Sequence, residues 1–168
     1  NMLEFALKDL EDFTFIDAGC GTGWVVRMVS KTESCLNSEG IDGSSNMIEK
    51  AERLDSLNSY HCADLISWKP NSKKDIVHSM EVLYYFEDPF IVLKNIYDNW
   101  LNYNGRFIMG IDFYKENLSS HDWPEKTNVS IMNMLSSKKW IQMFKECGFK
   151  NIGSWKVGKS KNWEGPFV

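Results

Sequence analysis

Apolar positions along the chain change period repeatedly, and each change predicts a new element. Leu3, Phe5, Ala6, Leu7 and Leu10 gather roughly on one helical face, and residues 13–17, FTFID, then read as a short buried strand. A glycine-rich break follows, after which Trp24, Val25, Val26, Met28 and Val29 suit a helix opening directly from the loop. SEGID at 38–42 predicts a brief second strand, because the segment ahead of it lacks the apolar residues of a longer one. Ser44 or Ser45 can cap the next helix, where Met47, Ile48, Ala51 and Leu54 recur at helical spacing.

SYHCAD, ending at Asp64, predicts a third strand and DIVHSM, at 75–80, a fourth. Asp88-Pro89 supplies the N-cap and first position of a helix with Ile91, Val92, Leu93, Ile96, Trp100 and Leu101 on its apolar side. Asn104-Gly105 marks a turn ahead of a fifth strand ending near Asp112. The pattern then fades over 115–135, a length typical of lids and pocket walls, before an amphipathic helix at 137–147 that stops at Gly148. KNIGSWKV and NWEGPFV read as two closing strands. Such alternation predicts one α/β domain over 1–168: a doubly wound, mostly parallel sheet with helices on both faces and C-terminal antiparallel strands.

Composition narrows the function classes. A chain of 168 residues that is 43% hydrophobic and 25% charged suits a single globular core. The net charge of −4 gives no basic footprint for nucleic acid. No apolar run approaches the roughly 20 residues of a membrane span, and no signal peptide opens the sequence. Cys20, Cys35, Cys62 and Cys147 show neither paired nor metal-ligand spacing, so they read as free thiols in a cytoplasmic protein without a metal. The opening on Asn1 and the stop in apolar Phe167-Val168 read as ends trimmed from a longer chain.

In a doubly wound sheet, ligands bind outside the carboxyl ends of the strands, so the residues found there are diagnostic. Four predicted strand ends carry ligand-type groups: Asp17 with Gly19-Cys20-Gly21-Thr22-Gly23, Asp42, Asp64, and Ser79-Met80-Glu81. A dinucleotide fingerprint has its third glycine one place later, and Trp24 stands where close helix packing needs a small residue. Asp42 suits any ribose-bearing ligand and does not discriminate. Tyr84 and Tyr85 follow the fourth strand where an acceptor would approach, although aromatic residues there also serve the core. His61 and His78 read as strand imidazoles, and His121, beside Asp122 and Trp123 in the long loop, is a weak candidate base.

DAGCGTGW, GIDGSSNMIEKA, CADL, DIVHSMEVLYYFEDP and LSSKKWIQMFKECGF together resemble the class I S-adenosylmethionine-dependent methyltransferases, in particular the small-molecule (type 11-like) group. The resemblance implies a Rossmann-like methyltransferase fold, S-adenosyl-L-methionine as cofactor and a small-molecule methyl acceptor. It further implies that Gly19, Cys20 and Gly21 border the methionine moiety and that Asp17 supports the loop and the cofactor amino group. Asp42 would take the ribose hydroxyls, Gly43 and Met47 would flank the adenosine, Asp64 with Leu65 would meet the adenine, and Met80 would lie beside the cofactor. A nicotinamide-dependent oxidoreductase with an irregular fingerprint, carrying a phosphate at the helix start from Gly21 to Trp24, and a non-catalytic member of the fold remain the alternatives.

Overall fold

The computed structural model describes residues 2–158 and 164–168. Its elements, in chain order, are α1 (Met2–Leu7), β1 (Phe13–Ala18), α2 (Trp24–Val29), β2 (Cys35–Asp42), α3 (Ser45–Leu54) and β3 (Ser59–Cys62), followed by β4 (Lys74–Met80), α4 (Pro89–Asn95), β5 (Leu101–Gly110), α5 (Trp123–Thr127) and α6 (Ser137–Cys147). The five strands form one parallel sheet in the order β3-β2-β1-β4-β5. Chain direction across the sheet reverses between β1 and β4, which makes that junction the expected ligand crevice.

Alternation along the central strands sends side chains to two separate cores. Phe15 and Ile76 pair across β1 and β4 and join Leu3, Ala6, Val25 and Val29 beneath α1 and α2. Their neighbours Ile16 and Val77 face the opposite layer, with Val92, Leu93, Trp100 and Trp140 of the α4 and α6 side. Asp88 caps α4 by accepting from the Phe90 amide, as the sequence pattern anticipates, and Ser136 caps α6 by accepting from the Lys139 amide. The chain after α4 widens into a π-helical turn, Ile96–Trp100, that swings Trp100 fully into the core. There its Nε1 donates to the Trp68 carbonyl at 3.0 Å.

Two strands differ from expectation. β2 runs for eight residues rather than five. Its polar side chains are partnered: Ser38 Oγ donates to the Val26 carbonyl at 3.1 Å, and Glu39 receives the buried Lys74 ammonium at 2.5 Å with His61 at 3.1 Å. Backbone pairing to β1 and β3 on either side carries such a strand without an apolar stripe. Asn104, at φ 65°, and Gly105 lie inside β5 instead of ahead of it, where the register jumps from Lys74–Leu101 to Ile76–Arg106. The strand accordingly ends at Gly110.

The described part of the tail forms isolated antiparallel bridges, Ile111 to Phe167 and Lys156 to Phe167, rather than the two predicted strands. Asn162 and Trp163 of the second predicted strand lie outside the described residues. The 115–135 segment holds α5 and is stapled to the turn after β4, since the Asn133 amide donates to the Tyr84 carbonyl at 2.7 Å and its side chain to the Glu87 carbonyl at 3.0 Å. Trp100→Ala removes the largest class of core side chain and one of the two donors to the Trp68 carbonyl, which keeps Asn95 Nδ2, so it should lower stability by about 3–5 kcal/mol in urea denaturation. A loss below about 1 kcal/mol would contradict the placement of Trp100 as a core anchor.

Candidate active site

The loop after β1 cannot carry side chains at its turns. Gly19 and Gly21 both have positive φ, at 80° and 52°. A Cβ on Gly19 would strike the Val82 side chain, whereas a Cβ on Gly21 would meet nothing within 4 Å. Gly19 therefore lets the turn after β4 close in, and Gly21 leaves bare backbone facing open space.

Asp42, the last residue of β2, fixes that backbone. Its Oδ2 accepts from the Gly21 amide at 2.9 Å and its Oδ1 from the Ser44 amide at 2.8 Å, so one carboxylate joins the glycine loop to the start of α3. Each oxygen retains a lone pair for a further donor. Asp64, beyond β3, accepts from the Ile66 amide at 2.9 Å and is exposed.

These strand ends surround one cleft of about 660 Å³, inside the roughly 300–1,000 Å³ of small-molecule sites. Gly19, Gly21, Asp42, Gly43, Met47, Asp64, Leu65 and Met80 all line it, together with Tyr85. A wider groove of about 940 Å³ runs along β5 between α1, α6 and the tail. It contains none of the strand-end acids, and the crevice at the switch point is where this topology places chemistry.

Four predicted residues lie elsewhere. Asp17 is buried beneath the loop with its Oδ1 2.7 Å from His78 Nδ1, so it braces β1 against β4 and its side chain does not reach the cleft. The Cys20 side chain packs with Val26, Ile48, Ala51 and Tyr60, and burial pushes its thiol pKa up. Tyr84 is buried against Phe113. His121 is exposed and its Nε2 lies 3.0 Å from the Lys115 carbonyl, in the loop behind the turn. Their residue types suited the site, but Asp17, Cys20 and Tyr84 are buried in packed layers and His121 lies in a loop that does not line the cleft.

Glu81, one of the ligand-type groups expected at the strand ends, stands on the cleft wall. It sits at φ 59°, a strained value for a non-glycine residue, and donates its amide to the Gly110 carbonyl at 2.9 Å. Oε1 accepts from the Asp112 amide at 2.6 Å and Oε2 from the Tyr84 hydroxyl at 2.8 Å. Burial pushes its carboxyl pKa up to about 7, with the Tyr84 hydrogen bond opposing and the Asp112 charge assisting. Burial also raises Asp112, whose Oδ1 has no hydrogen-bond partner among the described residues. The cue available in sequence was position alone: an acid immediately after a strand that ends at the crevice.

The cleft reaches Gly19 and Gly21 but none of Thr22, Gly23 and Trp24. Gly23 is covered by the Tyr60 ring, and the helix it caps has six residues. A pyrophosphate seated on that helix start, as a dinucleotide requires, has no place in the cleft. A family model described as a methyltransferase domain matches residues 1–153. The chain belongs to this methyltransferase family.

Trans-aconitate 2-methyltransferase of Agrobacterium fabrum is 34% identical over 83 residues, 49% of this chain and 32% of that protein. The matched span is thus about a third of the length of that curated relative. Among solved structures, a putative methyltransferase complexed with the Haloferax volcanii Trm112 methyltransferase activator superposes with a TM-score of 0.82 at 24% identity, covering 98% of this chain and 80% of that one. The N-methyltransferase NodS of Bradyrhizobium japonicum, in complex with S-adenosyl-L-homocysteine, gives 0.75 at 17% identity, covering 99% and 80%. At these identities the likeness concerns the fold.

The raised Glu81 pKa has a definite sign. Folding raises it above the ordinary 4.5, so its contribution to stability is full below that value and is lost as pH rises through about 7. The thermal midpoint of the wild-type protein relative to Glu81→Gln should therefore fall between pH 5 and 8. A constant difference across that range would contradict the assignment.

Proposed function

We propose that the chain is a single S-adenosyl-L-methionine-binding domain that transfers a methyl group to a nitrogen or oxygen of a small-molecule acceptor. The observation that carries this reading is the Asp42 carboxylate, which is tied to the bare Gly21 backbone and shares one cleft with Asp64. A nucleoside needs that combination: an acceptor for the ribose diol, a second acceptor further along for the base amino group, and an approach unobstructed by side chains.

Asp42 takes the ribose hydroxyls, with Gly43 and Met47 beside the adenosine and Asp64 with Leu65 at the adenine. Gly19 and Gly21 border the amino-acid portion, and Met80 lies at the end of β4 beside it. Asp17 and Cys20 act from beneath, through the His78 contact and the packing that hold the loop. When bound, the cofactor supplies a methyl group on a sulfonium centre, open to in-line displacement. The protein's part is to hold the two reactants in line and to exclude water, an orientation effect of about 7–11 kcal/mol at best. Tyr85, at the cleft wall and 42% exposed, is placed to contact an acceptor.

S-adenosylhomocysteine at 100 times its Kd should stabilise the protein by about 2.7 kcal/mol, read as a rise in thermal midpoint, with no response to NADH. Asp42→Asn, which removes the charge while keeping an acceptor, should weaken that binding by about 10- to 100-fold. Stabilisation by NADH alone would overturn the proposal.

A further inference from the structure

Charge on the cleft wall has one sign. Among the described residues lining it, Asp42, Asp64 and Glu81 carry carboxyl groups and none is Lys, Arg or His. They separate by position. Asp42 and Asp64 belong to the half assigned above to adenosine, whereas Glu81 follows β4 and shares the wall with the Tyr85 and Phe86 rings.

That second half is held as a unit. The Tyr84 hydroxyl donates to Glu81, and the Tyr84 and Tyr85 rings contact each other with centroids 4.5 Å apart. Asn133 fixes the same turn from behind through the Tyr84 and Glu87 carbonyls. Carboxyl and rings are thus placed by the fold rather than by independent flexible side chains.

An acceptor bearing several carboxylates would meet three carboxyl groups and no cation among the described residues lining the cleft, and like charges in a partly desolvated cleft repel. An ammonium group meets the reverse situation. Each Glu81 oxygen has accepted one hydrogen bond and keeps capacity for another, and aromatic faces beside it attract cations. Burial holds the Glu81 carboxyl near neutrality, and an adjacent ammonium is the charge that restores its ionised form.

We infer that the methyl acceptor is an amine that arrives as its ammonium form, is received by Glu81 and the Tyr85 ring, and gives one proton to the Glu81 carboxylate so that the freed nitrogen lone pair takes the methyl group and the sulfonium leaves as a neutral thioether; it is not a polycarboxylate. The inference rests on the methyl-transfer reading of the preceding subsection.

Calorimetric titration tests it on protein first loaded with S-adenosylhomocysteine, using benzylammonium, its anionic counterpart benzoate, and trans-aconitate at equal ionic strength. Benzylammonium should bind at least about tenfold more tightly than either anion, and Glu81→Gln should reduce that preference by about tenfold. Tyr85→Leu, at a partly exposed position that folding tolerates, should also weaken benzylammonium. Binding of benzoate or trans-aconitate as tight as benzylammonium, no binding of any probe, or benzylammonium affinity unmoved in both variants would overturn the inference. Failure of S-adenosylhomocysteine to bind at the loading step would overturn the cofactor reading itself, so the two failures are read at different steps.

Discussion

One carboxylate ties two of the strand ends at the crevice together. Asp42 receives the Gly21 amide on one oxygen and the Ser44 amide on the other, so the turn after β1 and the turn after β2 keep a fixed separation. The glycine loop is held at its base by hydrogen bonds from the Gly19 and Cys20 amides to the Ile41 carbonyl, and the Asp42 link fixes its outer turn at Gly21. The acid stands where it does because β2 is paired on both sides and ends at that residue. Sheet pairing thus positions the carboxylate, the carboxylate positions the loop, and the loop leaves room for a ligand.

Support for the loop continues beneath the surface. The buried Asp17–His78 pair joins β1 to β4 on the two sides of the switch point, and on the opposite face Ser79 Oγ donates to the Ala18 carbonyl at 2.8 Å. Gly19 admits Val82, which brings the turn after β4 against the turn after β1. Glu81 then links that turn to the chain beyond β5 through the Asp112 amide. This end of the cleft is therefore built from three strand ends, with a half-buried acid at their junction.

Much of this was legible in the amino-acid order. The strands β1 and β4 announce themselves by continuous apolar runs, α6 by its stripe and terminal glycine, and the cleft by acids and glycines at strand ends. Most of the residues expected there do line it. What was hidden has a common cause: periodicity records which side chains meet apolar neighbours, not which polar ones find partners. β2 looked short because the residues ahead of Ser38 carry no apolar stripe, yet the strand starts at Cys35 and is held there by its pairing with β1. Asp17 and Cys20 sit at the right point in the chain but point beneath it, and His121 belongs to the loop behind the wall. Family membership rests on the matched domain model, which the motif reading anticipated.

The central claim is that Asp42 and the Gly21 backbone form the ribose end of a nucleoside site. A crystal structure of the complex with S-adenosylhomocysteine tests it most directly. The account predicts both ribose hydroxyls within hydrogen-bonding distance of the Asp42 carboxylate, with the amino-acid portion running along Gly19 to Gly21. A ligand found in the groove beside β5, or a ribose turned away from Asp42 within the cleft, would contradict it.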